Sequence, residues 1–150
     1  MKRLTHIDDK GEARMVDVSA KPVQEREALA QGEVFMQEST LDMIEYNKIA
    51  KGNVFASAKL AGVMAAKQVG TLIPLAHPLP LTHCELNLEV PPSRDRIVIT
   101  ASAKVAGRTG VEMEALTAVS MAALTIYDMC KAVDSTMVIR DVRLLSKSKK

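Results

Sequence analysis

Tryptophan is absent from the 150-residue chain, and its aromatic complement is two Phe and two Tyr. A core must therefore be aliphatic, and a nucleic-acid groove built on base-stacking rings has little to work with. A dominant charge is also missing: 20 basic and 18 acidic residues leave a net charge of +2, too balanced for a general polyanion binder. The basic run at the end, Lys147, Lys149 and Lys150, reads as a solvated terminus. Cysteine is scarce, and Cys84 and Cys130 pair only if the fold brings them together. No stretch is long enough, uncharged and proline-free as a membrane span requires, and MKRLTHIDDKGEARM lacks the apolar segment of a secretory signal. A cytoplasmic protein with reduced thiols is the expectation.

What is present is a chain that is 47% hydrophobic, enough for one domain over residues 1–150, with about 1–14 and 147–150 expected to be flexible. MVDVS (Met15 to Ser19) reads as a short strand and Glu25 to Met36 as extended, although EREALAQ alone favours a helix. Ser39 is placed to cap a short helix with Asp42 at its third position, and Asn53 to cap a second from Val54 to Val69. Gly62 inside that second helix would admit another backbone at close range. LIPLAHPLPL, braced by Pro74, Pro78 and Pro80, is a stiff connector. HCELNLEV and RIVITASAKV alternate apolar and polar residues around the turn PPSRD, which predicts an antiparallel hairpin with one wet face. A long helix from about Val111 to Val133 and a strand MVIRDVRLL complete an α+β order, an antiparallel sheet with helices on one face.

The long helix is apolar nearly all round, as buried helices are. On its wheel, Lys131 lies about 60° from Asp128, Thr117 about 20° and Glu114 about 40° to the other side, a polar stripe roughly 25 Å long, with Glu112 nearly opposite. An exposed i,i+3 ion pair is the plain reading of Asp128 and Lys131. In a half-dry pocket the same pair is equipped for proton transfer. Two helix starts, KGNV with Lys51 and AGRTGVE with Arg108, offer free backbone N–H groups beside a cation, as phosphate binding requires. The Walker phosphate-loop spacing is missing. His77, held between Ala76 and Pro78, is a candidate acid, base or phosphate donor. His77, His83 and Cys84 do not make a metal site, because His83 and Cys84 point to opposite faces of a strand.

Four stretches, THIDDKGEARMVDVSAK, KGNVFASAKLAG, LIPLAHPLPL and TGVEMEALTAVSMAALTIYDMCKAV, give the chain a resemblance to the cyclic pyranopterin monophosphate synthase (MoaC) family from Leu4 to Ser146. The resemblance implies a ferredoxin-like α+β fold and a role in molybdenum cofactor (molybdopterin) biosynthesis. The reaction it implies is a lyase-type conversion of 3′,8-cyclo-7,8-dihydroguanosine 5′-triphosphate, a GTP derivative, to the cyclic pterin phosphate with release of pyrophosphate. It also implies a hexamer, a trimer of dimers, with sites at subunit interfaces. Carried over by position, Asp128 and Lys131 are the catalytic pair, and Leu75, Ala76, His77, Met113 and Glu114 contact substrate. Lys51 and Glu112 join them as pocket members. No cofactor is implied as required, and magnesium is allowed with the substrate's phosphates. Two positions depart: Ala76 stands where the family often has cysteine, so a thiol there is not needed, and Asn53 replaces a common aspartate that also caps a helix. The competing class is a non-catalytic, oligomeric nucleotide-sensing module of the same fold, which would not need Asp128, Lys131 and Glu114 on one stripe.

Overall fold

The computed structural model describes residues 5–150; the part of the expected flexible start that falls on 1–4 lies outside them. Eight elements follow in order: β1 (Gln24–Phe35), α1 (Glu38–Glu45), α2 (Val54–Ala66), α3 (Val69–Leu72), β2 (His83–Glu89), β3 (Arg96–Gly107), α4 (Glu112–Cys130) and β4 (Val138–Lys149). The four strands make one antiparallel sheet in the order β2-β3-β1-β4, with the helices packed on one face, the ferredoxin-like arrangement.

β1 settles its ambiguity in favour of a strand because it lies in the sheet interior, paired with β3 on one side and β4 on the other. Ala28, Ala30 and Val34 face the helices and are buried, and across the β3 ladder they meet Ala103, Ala101 and Ile97. Tertiary pairing here outweighs the helical propensity of the local sequence. β2 and β3 form the predicted hairpin: Leu86 and Ile97, Ile99, Ala101, Ala103 and Val105 point inward, and Glu85, Asn87 and Glu89 are exposed.

The small residues of the sheet centre are matched by Ala115, Ala118, Ala122 and Ala123 on α4, all fully buried, so the helix lies close against the strands. Leu41, Ile99, Ile126, Val34 and Val119 fill the remaining space, an aliphatic core as the scarcity of aromatics requires. Gly62 marks the closest approach of α2 to α4: a Cβ there would lie 2.9 Å from the Ala118 carbonyl oxygen and inside the Leu86 side chain. The predicted close contact at Gly62 is thus between backbones.

Three local expectations are corrected. Met15–Ser19 is not a strand; Val16 and Val18 turn towards a cavity instead of a ladder, and the nearest pairing before it is a single bridge of Ile7 with Ala13. β4 runs through residues 147–149, expected to be flexible, because their backbone pairs with Arg26, Glu27 and Ala28. Ser39 does not cap α1. The helix starts two residues earlier, after Gln37, and no side chain at that N-cap position bonds the first turn.

A carboxylate nearly a hundred positions away fastens the start of α1 in another manner, through the Gln37 N–H and the Thr40 hydroxyl. Asp134 is 3% exposed. Its Oδ2 accepts from the Gln37 N–H at 3.0 Å and the Thr40 hydroxyl at 2.8 Å, and its Oδ1 accepts from the Thr136 N–H at 2.8 Å and hydroxyl at 2.6 Å. Burial pushes this carboxyl up, but the donated hydrogen bonds outweigh it and hold the group at about 2, below its ordinary 3.8. A depressed carboxylate contributes stability that is complete above its unfolded-state value and is lost as pH falls through its folded-state value. The unfolding free energies of the wild type and Asp134→Ala should therefore differ by a constant amount above about pH 5 and converge by about 1–2 kcal/mol by pH 2, allowing for solvent screening. Urea titrations at a series of pH values measure it, and a pH-independent gap would refute it.

Edge strand β4 carries two register shifts against β1 and a left-handed residue, Asp141 at φ 54°. Bulges together with Arg140, Arg143, Lys147 and Lys149 are how an open sheet edge is kept from pairing with another chain. Among the described residues, no helix is long and apolar enough to cross a membrane.

Candidate active site

Loop 73–79 and the start of α4 face each other across a cavity of about 520 Å³. Leu75, Ala76 and His77 line one side, and Glu112, Met113 and Glu114 the other. Six of the nine residues singled out from sequence therefore share one cavity. The N-terminal segment supplies a further wall through Thr5, His6, Val16, Val18 and Lys21, none of which the sequence reading assigned. The available signal was the apolar pair Val16 and Val18 in an otherwise polar stretch.

His77 is fixed in this wall by proline on its C-terminal side and by its ring. Its Nε2 lies 2.6 Å from the Val16 carbonyl oxygen. A carbonyl only accepts, so Nε2 carries the proton, and in the neutral ring Nδ1 is the acceptor. The same bond ties the N-terminal wall to loop 73–79.

The two carboxyl groups opposite His77 are shifted in opposite directions. Glu114 is only 4% exposed, and burial raises its pKa, with Glu112 adding to the rise after its own backbone N–H opposes it. Glu112 is partly buried, which pushes it up, but its own backbone N–H and the Lys147 ammonium at 3.0 Å more than offset this, and it is held below the ordinary value. One carboxyl with a raised pKa and one with a lowered pKa therefore flank Met113. Arg108 does not turn to the start of α4 as the AGRTGVE reading expected. Its Nε donates to the Lys21 carbonyl at 3.1 Å, while Arg26 donates to the Gly107 and Arg108 carbonyls and fixes the loop before the helix.

The other three residues gather at the far end of α4. Lys131 Nζ lies 3.0 Å from Asp128 Oδ1, and Lys51 Nζ lies 2.9 Å from Asp128 Oδ2 and 3.1 Å from its backbone oxygen. Lys51 reaches that position from a loop turned by Gly52 at φ +108°, which glycine adopts freely, and anchored by Asn53, whose side chain accepts from Ala56 N–H at 2.9 Å as expected. The lysine read as a phosphate holder at a helix start is thus a second partner of Asp128. Hydrogen bonds first from Lys51 and then from Lys131 keep the Asp128 carboxyl below its ordinary value. All three side chains are half-exposed, at 50%, 57% and 58% for Lys51, Asp128 and Lys131.

Within one chain the polar stripe is therefore split. Fourteen residues of helix, about 21 Å, separate Glu114 in its cavity from Asp128 at the surface. None of Lys51, Asp128 and Lys131 lines the 520 Å³ cavity. The residues expected to bind substrate stand at one end of α4, and the pair expected to transfer protons stands at the other.

Comparison with known proteins places the chain in a clear context. The model of the MoaC family matches residues 15–150. A cyclic pyranopterin monophosphate synthase of Desulfitobacterium hafniense is 59% identical over 145 residues, 97% of this chain and 88% of its own length. One of Desulforapulum autotrophicum is 55% identical over 148 residues, covering 99% and 91%. A protein named cyclic pyranopterin monophosphate synthase 3 in Mycobacterium tuberculosis is 58% identical over 145 residues, covering 97% and 81%.

Proposed function

The chain belongs to the MoaC family, and from that membership we propose that it is a cyclic pyranopterin monophosphate synthase, a lyase of molybdenum cofactor biosynthesis. Its substrate is 3′,8-cyclo-7,8-dihydroguanosine 5′-triphosphate, its products the cyclic pterin phosphate and pyrophosphate, and its compartment the cytoplasm. The observation that carries the reading is identity above half with synthases over nearly the whole chain, joined to a cavity lined by the residues expected to hold the substrate.

Leu75, Ala76, His77, Met113 and Glu114 bind the heterocycle, with Glu112 beside them. Rearranging a purine into a pterin moves protons on and off nitrogen, and closing a cyclic phosphate takes a proton from the attacking hydroxyl. Lys131 is the acid in this scheme, and Asp128 orients it or accepts a proton in turn. Lys51 holds Asp128 in place and offers its charge to the departing pyrophosphate. No cofactor is required in this scheme, and magnesium can accompany the substrate's phosphates.

The active site is completed between copies of the chain, the 128–131 end of one α4 closing over the 112–114 end of another. Two observations support this. The two half-sites are too far apart to meet within one chain. Leu60 and Met64 on α2 and Leu124 on α4 are each more than half exposed, an apolar surface of the kind that assembly buries. A hexamer built as a trimer of dimers is the assembly that we assign.

The test is to incubate the protein with the cyclised GTP intermediate and measure pyrophosphate and the fluorescent oxidation product of the pterin. Stoichiometric release is expected. Tight binding of the intermediate with no pyrophosphate would identify a nucleotide-sensing module instead.

A further inference from the structure

We propose that Asp134 is a positioning residue for the Lys51–Asp128–Lys131 cluster, a role that rests on the function proposed above. The turn that carries Lys131 ends α4: the Lys131 N–H reaches the Tyr127 carbonyl at 2.9 Å, and the N–H groups of Val133 and Asp134 both reach the Cys130 carbonyl, at 3.0 and 3.1 Å. Beyond it the chain enters β4 through buried Met137, and the Asp134 carboxylate ties down the turn in between. One oxygen holds Thr136 by its N–H and hydroxyl, closing the turn on itself; the other holds Gln37 and Thr40 at the start of α1.

That second oxygen links the two stretches of chain that meet at Asp128. α1 runs from Glu38 to Glu45 and is followed by the loop that delivers Lys51. The end of α4 delivers Asp128 and Lys131. Asp134 bonds both, and it and Thr40 are buried, so the exposed amines and carboxylate are hung from a dry joint. An anion at the start of α1 is also favoured by the helix dipole.

The joint requires a carboxylate specifically. Each oxygen faces a backbone N–H, which can only donate. An asparagine, whichever way its amide is turned, sets an NH₂ against one of them. Thr40 and Thr136 can rotate their hydroxyls to follow, but the backbone groups cannot.

The cavity that holds the heterocycle lies at the other end of α4, so loosening the joint should misplace the reacting groups and spare binding. Asp134→Ala and Asp134→Asn are expected to lower kcat about 10- to 100-fold, the scale of an ångström-level misplacement, with KM within about twofold of wild type. Two core variants of α1, Ile44→Val and Ile44→Ala, bracket the accompanying loss of melting temperature without touching any hydrogen bond. They are expected to keep wild-type kcat when assayed well below their midpoints. Thr136→Val removes one of the four donors and serves if the Asp134 variants do not fold, with a kcat loss of the same sign. Amide hydrogen exchange at residues 128–133 is expected to rise in the Asp134 variants and not in those at Ile44.

Equal kcat losses in the Asp134 and stability-matched Ile44 variants, full activity in Asp134→Asn, or a loss confined to KM would each overturn the proposal. A wild-type chain that released no pyrophosphate would overturn the function instead, and the exchange rates would still report whether Asp134 holds the turn.

Discussion

Lys131→Ala is expected to lower kcat for pyrophosphate release by about 10²- to 10⁴-fold, the typical worth of a positioned acid or base. The geometry makes this variant informative. Asp128 is held from both sides, by Lys131 on Oδ1 and Lys51 on Oδ2, so removing Lys131 leaves the carboxylate tethered. Lys131 follows the last residue of α4 and its side chain is 58% exposed, so little packing is lost with it. A near-wild-type melting curve should accompany the drop. Single-turnover measurements with the cyclised intermediate separate this from slow product release, and unimpaired turnover would remove Lys131 from the mechanism.

The second large effect is a gain. His77→Ala and Lys131→Ala chains, each nearly inactive alone, are expected to recover about a quarter of wild-type activity when co-expressed in equal amounts, because a site assembled from two chains takes one sound half from each in about a quarter of random pairings. The separation of the two half-sites along α4 is the reason. Were the site contained in one chain, every site in the mixture would carry one of the two lesions and no activity would return. Activity per mole of subunit, measured after separation of the mixed assemblies by differential tagging, distinguishes the outcomes.

Much of this architecture could be read from the chain. β2 and β3 announce themselves by strict alternation around a proline-rich turn, and α4 by a long run with no break. Asn53 capped α2 as expected because a cap is a contact over three residues. The readings that failed are those in which a distant partner displaced a near one. Ser39 was a reasonable local cap, but α1 starts after Gln37, and Asp134, brought in by the turn after α4, bonds the Gln37 N–H and the Thr40 hydroxyl there. Val16 and Val18 alternate as strand residues do, yet no ladder reaches them, and the Val16 carbonyl is taken by His77. β4 extends further than its apolar core because β1 is long enough to pair with a polar tail.

The candidate site divides in the same way. His77 stood out through the prolines around it, and Asp128 and Lys131 through their spacing on the helix. The approach of Lys51 to Asp128 depends on where a loop after α1 is carried, and nothing near Lys51 in sequence encodes that. The split of the stripe between a buried and an exposed end follows from the sheet and α2 covering only part of α4, which a helical wheel does not represent.

The glycine contact between α2 and α4 has a consequence for how such chains stack. With its neighbour seated backbone against backbone at Gly62, α4 sets Glu114 and Asp128 about 21 Å apart, a ruler along the helix. Two copies laid head to foot about an axis near Met121, midway between Glu114 and Asp128, would bring both pairs of ends into register together. In the proposed assembly an open filament would leave an unmatched end at each tip, which closure removes.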